Sequence, residues 1–520
     1  MITNPPPSLS KQGNVTQLLV DNKPFIVLGG ELGNSTASSA EYMEPFWDKL
    51  NKLNLNTVIM PAYWELIEPA EGKFDFSLFD KLIAKGREHH LKFVILWFGS
   101  WKNSMSCYAP LWVKADESRF PRAKDEKGVK QEILTPFNKN NVEADKKAFV
   151  ALMQHIRTID HLQHSVLMMQ VENEIGMLPV ARDYSDEANQ AFLQPVPAGL
   201  INYLTKNKDK LIPEIKSKWE ANGYKTSGNW NEVFGKGLAT DEIFMAWYFA
   251  SYTNEIARAG KAAYNIPMYV NAALNRPNKN PGEYPSAGPL PHLMDIWKAG
   301  APAIDILSPD IYFPDLQHWA DLYTRISNPL FIPETSAAGG GDAKVFYVIG
   351  HYNAMGFSPF SIESSREPEK DPIGKAYNVL SQLSPLISKY QGKGAIEGVL
   401  LDNVTDSVDL HMGGYILTAK HAYTFGRVPR AKNTAWPQTG AVIINTGPGE
   451  FFVGGTGTII TFKPEAPGQI AGIGYDDEGK FVNGKWMPGR RMNGDQDHQG
   501  RHLGIGMNEY QIQHIKLYNY

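Results

Sequence analysis

Short apolar runs alternate with amphipathic helical stretches up to about Tyr390, two of those runs end in glutamate, and closely spaced β-segments take over after Gly392. Together these predict an α/β chain, a (β/α)8 TIM barrel over residues 1–390 followed by a C-terminal antiparallel β-sandwich over 391–520. A chain of 520 residues is too long for one ordinary core, which a barrel plus a smaller module accommodates. The first glutamate-bearing run, Ser165 to Gly176, is apolar enough for a buried parallel strand and delivers Glu172, Asn173 and Glu174 to its C-terminal end before breaking at Gly176. The second, Pro329 to Thr335, ends in Glu334. Barrels keep their chemistry at this end of the strands, and two carboxylates there suit glycosidic bond cleavage. A single strand-end glutamate is more often solvated or salt-bridged; it is the joint pattern that points to chemistry.

The remaining elements follow in order. Pro24 to Gly30 reads as the first strand, with Glu31 in its loop as a contact for a substrate hydroxyl or, more simply, a carboxylate holding loop amides. Ser38-x-x-Glu41 has capping-box form, and Phe46, Trp47, Leu50 and Leu53 follow at helical spacing. Asn56 to Met60 is the second strand; the loop after it is shaped by Glu68-Pro69 and Gly72, and Ser77-x-x-Asp80 caps the next helix. Lys92 to Phe98 is the third strand, and Trp101 beyond it is either an aromatic platform for a sugar or buried surface. Glu143 to Arg157 is helical and leads into the strand of Glu174. A polar excursion from Met177 to Gly237, with helical pieces around Leu200 to Trp219, is too long for a plain connection and builds a wall of the cleft. A helix at Glu242 to Ala263, strands at Met268 to Asn271 and Ile304 to Ser308, and the segment Pro309-Asp310-Ile311-Tyr312 precede Glu334. Val345 to Met355, Phe357 to Ile362 and Ala376 to Tyr390 complete the ring. In the C-terminal part, Ala441 to Ile444, Phe451 to Val453, Thr458 to Phe462 and Gln511 to Tyr518 read as strands, with a hairpin at Asp477 to Lys480.

Gln170-Val171-Glu172-Asn173-Glu174-Ile175-Gly176 resembles the acid/base motif of the β-galactosidases of glycoside hydrolase families 35 and 42, which usually have Tyr at the position of Ile175. The Trp64, Glu68-Pro69, Gly72 and Phe74-Asp75-Phe76 segment resembles the loop after their second strand, and Pro110-Leu111-Trp112 resembles a further motif. The resemblance implies that Glu174 is the acid/base, that Glu334 is the nucleophile of a retaining mechanism, that Tyr312 hydrogen-bonds the nucleophile, and that Asn173 holds the sugar 2-hydroxyl. Glu172 does not inherit a role. The chain lacks the Cys-Ala-Glu-Trp and His-Tyr segments usual in family 35, which contact galactose, so another retaining exo-β-glycosidase stays open as an alternative, as does a non-catalytic carbohydrate-binding protein.

A net charge of −4 with 20% charged residues and no basic cluster argues against nucleic acid as a partner. No apolar window reaches membrane-spanning length, and Met1 to Pro7 has no leader character. The expected compartment is periplasmic or extracellular if a leader has been removed, cytoplasmic otherwise; the single Cys107 allows no internal disulfide. The expected partner is a carbohydrate substrate, with no cofactor and no metal. Asp495, Asp497, His498 and His502 form a polar cluster without recognised ligand spacing and read as a solvated loop, and the Ala338 to Lys344 stretch lacks phosphate-loop spacing and reads as a turn into the next helix.

Overall fold

The computed structural model describes residues 4–425, 431–432, 435–497, 499 and 501–520. Its centre is a closed barrel of eight parallel strands: Val27–Glu31, Thr57–Tyr63, Lys92–Lys102, Val166–Asn173, Met268–Ala272, Ile306–Ile311, Ile332–Thr335 and Gly356–Pro359, in ring order, with the eighth pairing the first. Each strand is buried along nearly its whole length, which explains why they read as continuous apolar runs instead of alternating ones. The third strand runs to Lys102, beyond the Phe98 expected from sequence, and so draws Trp101 and Lys102 into the wall. The first strand starts later than expected. Pro24 belongs instead to a three-stranded antiparallel sheet, Ser8–Gln12, Val15–Val20 and Lys23–Phe25, whose second turn has Asp21 and Asn22 at φ 51° and 62°, the backbone a tight two-residue hairpin needs.

Helix starts are set by neighbours of the expected caps. Ser39 Oγ, not Ser38, accepts from Tyr42 N–H at 3.2 Å, and Asp75 Oδ1 accepts from Ser77 N–H at 2.8 Å while Asp80 meets His155. The excursion after Glu174 folds as four short helices, Asp186–Leu193, Ala198–Lys206, Pro213–Glu220 and Trp230–Phe234, which bury Leu200, Leu204, Ile215, Trp219 and Trp230. The last has a full capping box of Asn229 and Glu232. The long helix Leu238–Ala263 then packs beside Lys139–Asp160.

After Tyr390 the chain forms a six-stranded and a four-stranded antiparallel sheet. In the strand Thr439–Gly447 the side-chain period of two sorts residues between two cores. Ala441 and Ile443 join Leu417, Ile460, Leu503 and Ile515 between the sheets, whereas Val442 and Ile444 join the barrel core with Leu380 and Leu383 of the helix Pro372–Tyr390. The six-stranded sheet is therefore a middle layer. It lies so close to the helix Gly341–His351 that a Cβ on Gly350 would meet Gly398 Cα at 2.6 Å, and one on Gly398 would meet Tyr347 O at 2.6 Å. The expected hairpin at Asp477 to Lys480 is corrected: the strand Ala471–Val482 runs through it, and the turn is Asn483-Gly484, at φ 50° and 73°.

Candidate active site

Six barrel strands converge on one buried group of side chains. Strand one ends in Glu31, strand three in Lys102 followed by Asn103, and strand four in Asn173 followed by Glu174. Strand five carries Asn271, strand six carries Asp310 with Tyr312 just past its end, and strand seven carries Glu334. One oxygen each from Glu174, Asp310 and Glu334 lies within 4.8 Å of the others. Exposure is 5% for Glu174, 6% for Glu334, and 1% for both Glu31 and Asp310, so all four acids sit in a protein-lined shaft.

Each carboxyl has its own surroundings. Asn103 Nδ2 donates to Glu174 Oε2, and the Glu174 N–H donates to Asn271 Oδ1 at 2.9 Å. Tyr312 donates its hydroxyl proton to Glu334 Oε1 at 2.5 Å, and Tyr312 is 48% exposed, so it spans from the shaft to the surface. Asn271 Nδ2 donates to Asp310 Oδ2 at 2.6 Å. Burial raises Glu174 above the usual carboxylate range, against the pull of the Lys102 ammonium. Burial and the charge of Glu174 push Glu334 up to about 7, while Lys102 and hydrogen bonds from Tyr312 and Glu31 pull it down. Glu31 and Asp310 are raised further, by burial and then by Glu334. Four ionised carboxylates facing one ammonium in so dry a space would repel strongly, so protons stay shared between neighbours: Glu31 with Glu334, and Asp310 with Glu174. Among the described residues, Glu174, Asp310 and Glu334 are also the group whose oxygens converge closely enough for a hard cation.

Glu174 and Glu334 thus come together, with Tyr312 on Glu334. Asn173 is buried beside them; its Oδ1 accepts from Lys102 Nζ at 2.7 Å, and its Nδ2 has no partner. Glu31 belongs to the same group. Trp101 requires a correction: it is 0% exposed, its ring packed edge-on to Phe249 and Tyr252, so packing rather than a sugar occupies its faces. Its backbone N–H holds Glu172 Oε2 at 2.9 Å, which turns Glu172 behind the strand toward Asp145 and away from the shaft. Glu172 and Glu174 both have positive φ, 63° and 45°, a kinked strand end that sends the two carboxyls different ways. Glu68, read as structural, accepts from Trp64 Nε1 and the Gly72 N–H.

Residues 38–241 match a family model described as β-galactosidase, that of glycoside hydrolase family 42. Of the two families that the sequence resembles, the match falls to this one, and it includes Asn173 and Glu174. Residues 373–504 match a domain of unknown function, DUF5597, beginning within the helix Pro372–Tyr390. A β-galactosidase of Xanthomonas manihotis is 38% identical over 71 residues, 14% of this chain and 11% of that protein. Among solved structures, a β-galactosidase from the psychrophilic Marinomonas ef1 aligns with a TM-score of 0.44 at 12% identity, covering 69% of this chain and 60% of that one. The catalytic domain of a β-amylase from Paenibacillus polymyxa aligns at 0.48 and 14% identity, covering 68% and 97%.

The sequence reading missed Lys102, Asn103, Asn271 and Asp310 as site residues. A usable signal existed for Asp310: it lies two residues before Tyr312, and a strand's period of two puts such a pair on one side. Asp495 and Asp497 fall in a 3-10 turn, Gly494–Asp497, His502 is in a short strand, and His498 lies outside the described residues.

Proposed function

We propose that the chain is a retaining glycoside hydrolase, an exo-acting β-galactosidase that removes terminal β-galactosyl residues from oligo- or polysaccharides such as plant cell-wall glycans. The observation carrying this reading is the convergence of Glu174 and Glu334 from strands four and seven, with oxygens within 4.8 Å. Retaining enzymes hold their carboxyl pair about 5–5.5 Å apart, whereas inverting enzymes leave roughly 6.5–9.5 Å for a water. Glu174 gives its proton to the glycosidic oxygen as the bond from the anomeric carbon breaks. The Glu334 carboxylate attacks that carbon, and the alcohol leaves. Water then attacks the ester, Glu174 takes a proton from it, and sugar departs with its original configuration. Donation from Tyr312 and Glu31 favours the ionised form of Glu334 that attacks, and Asn173 Nδ2, without a partner among the described residues, suits the 2-hydroxyl.

The test is a panel of aryl β-glycosides followed by NMR of the first-formed anomer. The expected outcome is fastest turnover of the galactoside with β-galactose appearing first. First appearance of the α-anomer would overturn retention. Faster turnover of the glucoside would move the protein to the second reading, a β-glucosidase-like exo-enzyme with the same two carboxyls. Release of internal fragments from a polymer would remove the exo assignment.

A further inference from the structure

Three barrel strands are tied together on the acid/base side by a closed ring of polar groups. The Glu174 N–H donates to Asn271 Oδ1, Asn271 Nδ2 donates to Asp310 Oδ2, and the Asp310 and Glu174 carboxyls face each other within the 4.8 Å cluster. The orientation of Asn271 is fixed by its partners, since an amide turned the other way would point its NH₂ at the Glu174 N–H. Asp310 Oδ2 is therefore an acceptor. Its other oxygen, Oδ1, is buried with no donor among the described residues, which leaves it free for the Glu174 carboxyl. A buried carboxyl in that position is costly unless a proton lies between it and its neighbour.

We propose that Asp310 is the positioning residue of the acid/base, aiming the Glu174 carboxyl and sharing with it the single proton that Glu174 delivers. The inference rests on the reading of Glu174 as acid/base. Charge accounting favours it. In the form of the free enzyme that reacts, Glu334 is ionised and the Asp310/Glu174 pair holds one proton. After the first step Glu334 is a neutral ester, and the pair has given its proton to the leaving alcohol. The negative charge lost at Glu334 reappears on the pair, so Glu334, Asp310 and Glu174 together carry two negative charges beside Lys102 before and after the step. In the second step the proton returns from water. The groups facing Glu174 are Lys102 and Asn103 from strand three, Asn271 from strand five, Asp310 from strand six, Glu334 from strand seven and Glu31 from strand one. Only Asp310 is joined both to the Glu174 carboxyl and, through Asn271, to its backbone.

In the Asp310→Asn variant, an amide can keep the Asn271 bond while donating permanently to Glu174, which stabilises the ionised form. The expected result is a downward move of the alkaline limb of kcat/KM by about one pH unit. At neutral pH an alkyl β-galactoside should be cleaved roughly 10- to 100-fold more slowly, with little loss on a dinitrophenyl β-galactoside that needs no proton. An unmoved limb with equal losses on both substrates would reduce Asp310 to a structural part and overturn the proposal. A second measurement does not depend on that variant folding. Carboxyl ¹³C NMR of the full chain should show Asp310 titrating in two steps, collapsing to one displaced step in Glu174→Gln; a single step unchanged by Glu174→Gln would overturn the proposal as well. Failure of the wild type to cleave dinitrophenyl β-galactoside would instead sink the β-galactosidase reading, with the NMR coupling still readable.

Discussion

Glu334 in the barrel and Asp476 in the C-terminal module are both buried acids on strands, and both are pushed well above the ordinary carboxylate range by burial. Their surroundings differ. Glu334 has the Tyr312 hydroxyl, the proton of Glu31 and the Lys102 charge to favour its ionised form. Asp476 is 0% exposed, neither of its oxygens has a hydrogen-bond partner among the described residues, and burial, with the charges of Asp497, Asp477 and Glu478 adding to it, pushes it up to about 8. Burial alone makes an acid neutral and inert. Burial with aimed donors yields acids whose proton affinities can be set apart, and that difference is what general acid catalysis requires.

The largest expected effect falls on the barrel member of the comparison. Glu334→Ala should abolish turnover of all substrates, and azide should then convert an activated β-substrate to the α-azide. Glu174→Ala should lose roughly 10²- to 10⁴-fold on a poor leaving group, far less on a dinitrophenyl glycoside, and azide should restore turnover as the β-azide. Swapped azide stereochemistry would exchange the two roles. Next in size, Tyr312→Phe removes a donor to ionised Glu334. Its proton affinity then rises, so the acid limb of the pH profile should move up and activity should fall about 10- to 100-fold near pH 6, read from kcat/KM against pH.

Asp476 makes the opposite test. Its folded-state pKa lies above its unfolded one, so the module loses stability as pH rises from about 4 to about 8. Asp476→Asn removes that loss and should stabilise the module relative to wild type by an amount that grows with pH, near zero at pH 4 and up to about 5 kcal/mol at pH 8, read as a widening difference in Tm. An equal shift at both pH values would mean the module supplies Asp476 with a stabilising partner, and the contrast with Glu334 would fail. The smallest effect is expected at Trp101. Trp101→Phe should cost about 1 kcal/mol of stability and leave KM for an aryl galactoside within about twofold, because the ring serves the core. A KM raised tenfold at unchanged Tm would return Trp101 to the pocket.

The barrel was legible because buried parallel strands leave a plain mark, apolar runs such as Val166–Asn173 that break at a polar end. Glu174 and Glu334 were legible for the same reason, as acids closing such runs. Asp310 was not, because its partners Asn271 and Glu174 come from other strands and only closure of the ring brings them together. Trp101 stayed open between sugar platform and buried surface because the third strand runs further than its apolar segment, and the structure places the ring behind the wall. The turn at Asn483-Gly484 carried the strongest local signal for a hairpin, yet the acidic Asp477-Glu478-Gly479 stretch drew the reading away from it.

The helix Pro372–Tyr390 closes the barrel on one side and on the other meets Val442 and Ile444 of the six-stranded sheet; the match to DUF5597 also begins within it. A chain cut after Tyr390 would keep every strand of the barrel and every acid of the shaft, yet it would bare the leucine stripe of that helix and the glycine seam at Gly350. Such a piece would self-associate before it could be assayed. The place to divide this protein for expression or for transplanting its chemistry onto another scaffold is therefore not between barrel and module at all, and an engineered version of the barrel alone would need that seam rewritten with polar side chains first.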